Sequence, residues 1–299
     1  MTEAMLEVKN LNKSFGRKQV LHKISFSCAP GRIVGLVGAN GAGKTTIMKA
    51  VLSLTSSTGD ITIDGQKSTF DQHQVLDEVG ALIEYPGLYP YMSGRDNLKL
   101  FALSGKQQDI QSVIDALHMG DYIDTKARSY SLGMKQKLGI AMAFLNDPKL
   151  VILDEPMNGL DPQATKELRD LIVAKRDAGV TFLISSHILS ELQKLAEDLI
   201  IIDHGKIVQE TTMDALLEAN NHFVVVSTTD DDKAKQVLTD AGYKLVEGDE
   251  VKIQTKTDDA VADVLKTLTD QQVTVTDVKH EDEDLEGSVL KLLESDDQK

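Results

Sequence analysis

Apolar and polar positions change their spacing several times along the chain, and each change marks an element. LEVKNL at 6–11 alternates, as does ISFSC at 24–28, and a period of two predicts antiparallel strands with one buried face. RIVGLVG at 32–38, KLVILDEP at 149–156 and GVTFLISSH at 179–187 are instead almost continuously apolar, as suits central parallel strands covered on both faces. VGALIEYPGLYP at 79–90 adds a shorter apolar strand that runs into a corner, with the carboxylate of Glu84 standing at it. A helix is expected to open near Lys44, and another to span 162–179 with Gly179 suited to close it. Strand, helix and strand in repetition make the core an α/β sheet.

Between about Leu88 and Asn146 the strand patterns disappear. MSGRDNLKLFALSG and DIQSVIDALHMG carry helical spacing instead, so a helical subdomain over about 88–146 is expected to be inserted in the core. LIIIDHGKIVQE at 199–210 and a helix over 213–220 complete the main domain, 1–220. HFVVVST, a helix at 231–241, YKLVEG, EVKIQT, a helix at 258–270 and QVTVTDVKH then spell βαββαβ. That order predicts a small α+β, ferredoxin-like accessory module over 221–299, closed by a last helix near 284–294 and a polar tail.

With 299 residues, 41% of them hydrophobic, the chain can bury a main core and a smaller second one. Of the net charge of −15, residues 221–299 contribute −11. An acidic chain with no basic run argues against a nucleic-acid partner and against charge-driven attachment to anionic lipid. The acidic run EDED at 281–284 lacks the loop spacing of a calcium site and reads as a solvated helix N-terminus. Cys28, the one cysteine, sits near apolar Phe26 and Ala29 and reads as a small core residue. MTEAMLEVKN has neither the basic nor the apolar region of a signal peptide, and no apolar run reaches the ~18 residues of a membrane span. A soluble chain of the reducing cytoplasm is expected.

GANGAGKT at 38–45 matches the spacing G-x-x-x-x-G-K-[ST] between a buried strand and a helix. Gly38, Ala39, Asn40, Gly41, Ala42 and Gly43 would curl backbone N–H groups around a phosphate, the helix N-terminus, with Thr46 in its first turn, would favour the anion, and Lys44 would reach the terminal phosphate oxygens. Thr45 would offer its hydroxyl to Mg²⁺. Asp154 and Glu155 end a buried strand, where ligands of open α/β sheets gather. Asp154 can hold Mg²⁺ through water, and Glu155 can polarise an attacking water, the pair of tasks that phosphoryl transfer needs. ATP and Mg²⁺ are the expected cofactors.

YSLGMKQKLGIAMAFLNDPKLVILDEP at 130–156 narrows the class. It resembles the signature segment and second nucleotide-binding strand of ATP-binding cassette (ABC) proteins, with Ser131, Leu132, Gly133, Met134, Lys135 and Gln136 in the signature. The usual L-S-G-G-Q is altered here to SLGMKQ. NGLDP at 158–162 resembles the D-loop and SSH, ending at His187, the switch-histidine loop; Phe15 lies where an aromatic ring stacks on adenine. The resemblance covers about residues 4–215. It implies a P-loop ABC ATPase core with a mixed sheet, an antiparallel β subdomain and the helical insertion. It also implies that His187 senses the γ-phosphate, that Asp161 lies near a subunit boundary, and that the signature caps ATP bound by a second copy or a sister cassette.

The family docks on a separate membrane permease through the corner from Glu84 to Asn97, which implies a peripheral location on the inner membrane face. Glu84 stands where most cassettes have a glutamine that reaches Mg²⁺ and the attacking water; glutamate keeps the acceptor but loses the amide donors. Together with SLGMKQKLGIA, EYPGLYPYMSGRDNL and the βαββαβ tail, it is most similar to the bacitracin-resistance and lantibiotic-immunity group. The expected activity is ATP hydrolysis that energises export of a peptide antibiotic. The alternatives are another small-solute, drug or sodium exporter, or a soluble regulatory cassette protein.

Overall fold

The computed structural model describes residues 4–282 apart from 70–73, 104–106, 220–221, 247, 249 and 256–259. The last helix expected near 284–294 lies outside these residues. The chain divides into two compact units, Met1–Met213 and Asp214–Lys299.

In the first unit the alternating segments form long antiparallel partners, β1 (Leu6–Phe15) and β2 (Lys18–Cys28). The continuously apolar β3 (Ile33–Val37) follows and leads into α1 (Lys44–Val51). β4 (Thr58–Ile63) and β5 (Gln66–Lys67) complete a sheet of order β2-β1-β4-β5. Then come β6 (Val79–Leu82), α2 (Gly94–Phe101), α3 (Gln107–Ala116), α4 (Leu132–Ala143) and β7 (Leu150–Asp154). α5 (Pro162–Asp177), β8 (Thr181–Ser186), the short α6 (Leu189–Leu192), β9 (Asp198–Asp203) and β10 (Lys206–Thr212) lead to α7 (Met213–Ala219), which from Asp214 on belongs to the second unit. Past α5, Gly179 adopts φ +98°, the left-handed conformation that glycine adopts most readily.

The second sheet has order β10-β9-β3-β8-β7-β6 and is parallel except for the β10–β9 pair. Every residue of β3, β7 and β8 is buried, which is why those strands read as unbroken apolar runs. Their order sets the C-terminal ends of β3, β8 and β7 side by side. Between β6 and β7 the described elements are helical, save for an isolated bridge from Ser93 to Lys126. Gly80 lets α4 close on β6: a Cβ there would lie 1.8 Å from the Ala143 carbonyl oxygen, so any larger residue would force the pair apart. Cys28 is fully buried, and burial, reinforced by the Asp198 and Glu210 charges, pushes its thiol far above the ordinary cysteine range. It is the inert core residue expected.

The second unit carries β11 (His222–Thr228), α8 (Asp231–Asp240), β12 (Lys244–Leu245), β13 (Val251–Thr255), α9 (Ala260–Asp270) and β14 (Val275–Asp282). Its sheet is antiparallel in the order β12-β13-β11-β14, the order of a ferredoxin-like βαββαβ module. Val224, Val226, Val251 and Ile253 pack with Ala234, Leu238, Val264 and Leu268 of its helices in a core of its own. One expectation changes here. Glu281 and Asp282 do not begin a helix: β14 extends through them, and Glu281 pairs with Lys252 of β13 at 2.6 Å. The strand runs on because its ladder with β11 continues there, pairing Phe223 with Glu281 and His222 with Asp282.

Candidate nucleotide site

The loop 38–43 joins the end of β3 to α1. Gly41 and Gly43 adopt φ +86° and +117°, and at Gly43 a side chain would also strike Leu21, 2.8 Å from a Cβ. Only glycine satisfies both constraints. α1 starts at Gly43 with no side-chain cap, so its first-turn N–H groups are open to an anion. The Lys44 ammonium is buried and donates to the carbonyls of Gly38 at 2.6 Å and Ala39 at 3.3 Å. Asn40 and Thr46 stand on the same turn, exposed and half-buried, and Ala42 is buried behind it.

β7 and β8 bring four further groups to this loop. Thr45 donates its hydroxyl to Asp154 Oδ2 at 2.7 Å. The buried Ser185 hydroxyl donates to Asp154 Oδ1 at 2.6 Å and accepts the Glu155 N–H at 2.9 Å. Glu155 sits at φ +50°, an uncommon conformation for a residue with a side chain. Its Oε2 lies 2.7 Å from His187 Nδ1 and its Oε1 lies 3.5 Å from Lys44 Nζ. Residues 109 positions apart in sequence, Thr45 and Asp154, are thus in direct contact. The donor set fits Mg²⁺ and a nucleoside triphosphate: a hydroxyl and a single carboxylate suit a cation that keeps several waters, and a buried ammonium beside open amides suits phosphate. Ser185 opens the SSH segment, but the segment gave it no role, and only the β7–β8 register, which pairs Asp154 with Ser185, reveals one.

Glu84 stands just past the end of β6. It has left β6 at φ +59°, and its Oε1 accepts a hydrogen bond from Lys49 of α1 at 2.7 Å. The carboxylate is more than half exposed; its partner is a lysine one and a half turns along α1 rather than the Thr45–Asp154 pair. A charged acceptor finds a charged donor where an amide would need none. Phe15 exposes 55% of its surface at the end of β1, with the Lys13 ammonium 4.6 Å from its ring centroid, and its ring can take a flat base.

The segment 131–136 opens α4. Ser131 is its N-cap and accepts the Met134 N–H at 3.2 Å, and Leu132 is exposed. A cleft of about 490 Å³ is lined by Ser131, Leu132, Gly133 and Met134 from this turn and by Gly159 and Asp161 from the other side. Asp161 caps α5, accepting the Ala164 N–H at 2.8 Å. Lys135 and Gln136 do not line it. Gln136 is buried and donates to the Pro156 carbonyl at 3.2 Å, so its side chain braces the β7 end instead of facing outward, because the helical turn carries it to the inner face of α4. Nearby, Lys137 donates to the Leu117 carbonyl at 3.0 Å and to Glu167 of α5 at 2.7 Å.

Residues 21–158 match the family model described as ABC transporter. The chain is 33% identical over 296 residues to the uncharacterized ABC transporter ATP-binding protein YdbJ of Bacillus subtilis, covering 97% of this chain and 96% of that protein. It is 40% identical to the lantibiotic transport ATP-binding protein SrtF of Streptococcus pyogenes, over 70% of this chain and 92% of that one. With the bacitracin transport ATP-binding protein BcrA of Enterococcus faecalis it shares 36% identity over 79% and 78% of the two chains. A solved ATP-binding subunit of an ABC transporter superposes with a TM-score of 0.66 at 30% identity, covering 71% of this chain and 91% of that one. A dimeric ATP-binding cassette bound to ADP and Pi shares the fold alone, with a TM-score of 0.64 at 22% identity over 70% and 99% of the two chains. Similarity over 97% of the chain to one relative and a shared cassette in the others establish that this chain belongs to the ABC transporter family, as an ATP-binding subunit.

Proposed function

We propose that this subunit hydrolyses ATP to drive a separate membrane-spanning permease that exports a peptide antibiotic of the lantibiotic or bacitracin type. The observation that carries the hydrolysis is the meeting of Thr45, Asp154, Glu155 and His187 beside the phosphate loop. Bound Mg²⁺·ATP supplies the phosphoanhydride bond to be broken. The loop amides and Lys44 would hold its phosphates, Thr45 would offer its hydroxyl to the metal and Asp154 its carboxylate through water, and Phe15 would take the base. Glu155 accepts the proton of the attacking water, and His187, which meets the same carboxylate, keeps it oriented and faces the terminal phosphate.

The turn at Ser131 and Gly133 and the cap at Asp161 line one cleft, as a surface for the nucleotide of a second copy or a sister cassette requires. Tyr85, Tyr89 and Tyr91 are exposed by 83%, 53% and 74% beside Glu84, and aromatic surface of this kind favours a protein partner; the permease takes it. Among the described residues no helix is long and apolar enough to cross a membrane, so the membrane path belongs to that partner, and the subunit sits on the inner face of the membrane through it. The names of SrtF and BcrA support the peptide-antibiotic cargo.

The test is expression of the chain with its neighbouring permease in a sensitive host. Resistance to bacitracin or a lantibiotic that disappears in Glu155→Gln is expected. A purified complex that hydrolyses ATP yet confers no resistance to either class would overturn the cargo, and a complex without ATPase activity would overturn the whole reading.

A further inference from the structure

Ser185 is fully buried in β8, and the parallel register sets it beside Asp154 of β7. A serine hydroxyl has one proton to give. Here that proton goes to Asp154 Oδ1 at 2.6 Å, which fixes the rotation of the carboxylate and leaves Oδ2 against the Thr45 hydroxyl at 2.7 Å. The same oxygen accepts the Glu155 N–H at 2.9 Å. Glu155 is the residue held at φ +50°, and such a conformation persists only where its surroundings over-determine it. Its backbone direction in turn aims its carboxylate at His187 Nδ1, 2.7 Å away, and places it 3.5 Å from Lys44 Nζ.

The geometry points to Ser185 as the positioning residue that keeps two adjacent carboxylates in separate roles, Asp154 turned toward the metal and Glu155 toward the attacking water. Alanine would keep the β8 backbone and lose only the hydroxyl, which is donor and acceptor at once. This rests on the hydrolytic function proposed above. Ser185 touches neither metal nor phosphate; it acts through Asp154 and Glu155, as a partner behind a metal ligand does.

Ser185→Ala and Ser185→Thr, each in the full chain, test this. In Ser185→Ala, kcat is expected to fall about 10- to 100-fold with little change in KM for ATP, and the Mg²⁺ concentration that half-maximally tightens binding of a fluorescent ATP analogue is expected to rise. Binding of the analogue without Mg²⁺ should stay at the wild-type level. Ser185→Thr, which keeps the hydroxyl, should recover most of both losses. Wild-type kcat and Mg²⁺ response in Ser185→Ala, or losses in Ser185→Thr as large as those of the alanine variant, would overturn the assignment. Should Ser185→Ala fail to fold, Ser185→Cys, a weak donor, must fall below Ser185→Thr in both readouts, and equality would overturn it as well. A wild-type chain that binds the analogue but hydrolyses no ATP would refute the proposed function, while the Mg²⁺ titration still decides the role of Ser185.

Discussion

Glu84 and Lys49 form an ion pair at 2.7 Å that ties the exit of β6 to the helix carrying the phosphate loop. The two side chains expose 56% and 33% of their surface, and a pair so open to water contributes at most about 1 kcal/mol to stability. Its consequence is positional. Glu84→Gln is expected to keep its melting temperature and ATP affinity and to alter transport per ATP hydrolysed. Lys49→Met should do the same, and the double variant should be no worse than either single one, since both remove one contact. Additive defects in a reconstituted transport assay would show that the two residues act apart.

Lys44 is buried on the phosphate loop, and charge-assisted hydrogen bonds contribute about 1.5–3 kcal/mol each. Lys44→Ala should therefore weaken ATP binding by roughly 10- to 100-fold or more. Equilibrium binding of a fluorescent analogue measures it, and unchanged affinity would refute the phosphate-loop role.

Glu155→Gln keeps the shape of the side chain and removes the base. Hydrolysis should fall by about 10²- to 10⁴-fold, with ATP binding retained, and size-exclusion chromatography with ATP should show a stabilised dimer. Rapid turnover by this variant would remove Glu155 from its proposed role.

Lys137 and Glu167 are a mostly buried pair, their side chains 15% and 12% exposed. Burial pushes the Glu167 carboxyl up, but the hydrogen bonds from Lys137 and Gln163 outweigh it and hold the group below the usual glutamate range. A carboxyl lowered on folding stabilises the fold above its unfolded value, and that share is lost as pH falls through the folded one. The stability difference between wild type and Glu167→Gln should thus be full at neutral pH and should shrink as pH drops below the ordinary value of 4.5. Urea titrations at pH 7 and at about pH 4 would check it; a pH-independent gap would contradict the pairing.

What could be read from the chain beforehand follows a physical line. The buried strands announced themselves because residues such as Leu150–Asp154 are covered on both faces and admit no polar alternation. Gly43, Lys44, Thr45, Asp154 and Glu155 were legible because one local spacing or one strand end places each of them. The contacts of Ser185, of Lys49 and of the Lys137–Glu167 pair were not. Each depends on which residue stands opposite it in a neighbouring element, and register between strands or helices far apart in sequence leaves no trace in local composition. Gln136 stands in the signature turn, and its inward direction was not legible because it depends on where Pro156 lies. The extension of β14 through Asp282 was hidden for the same reason: EDED looks solvated until Lys252 is seen across the sheet.

Among the helices that open near the site, α4 and α5 have caps of their own in Ser131 and Asp161, as α2 has in Ser93. α1 has none. A helix start without a side-chain acceptor makes a bound phosphate part of the folded architecture, so occupancy and folding are linked by mass action. At a nucleotide concentration one hundred times the dissociation constant this linkage amounts to about 2.7 kcal/mol. The heat resistance of this subunit should then rise and fall with the ATP supply of the cell that makes it.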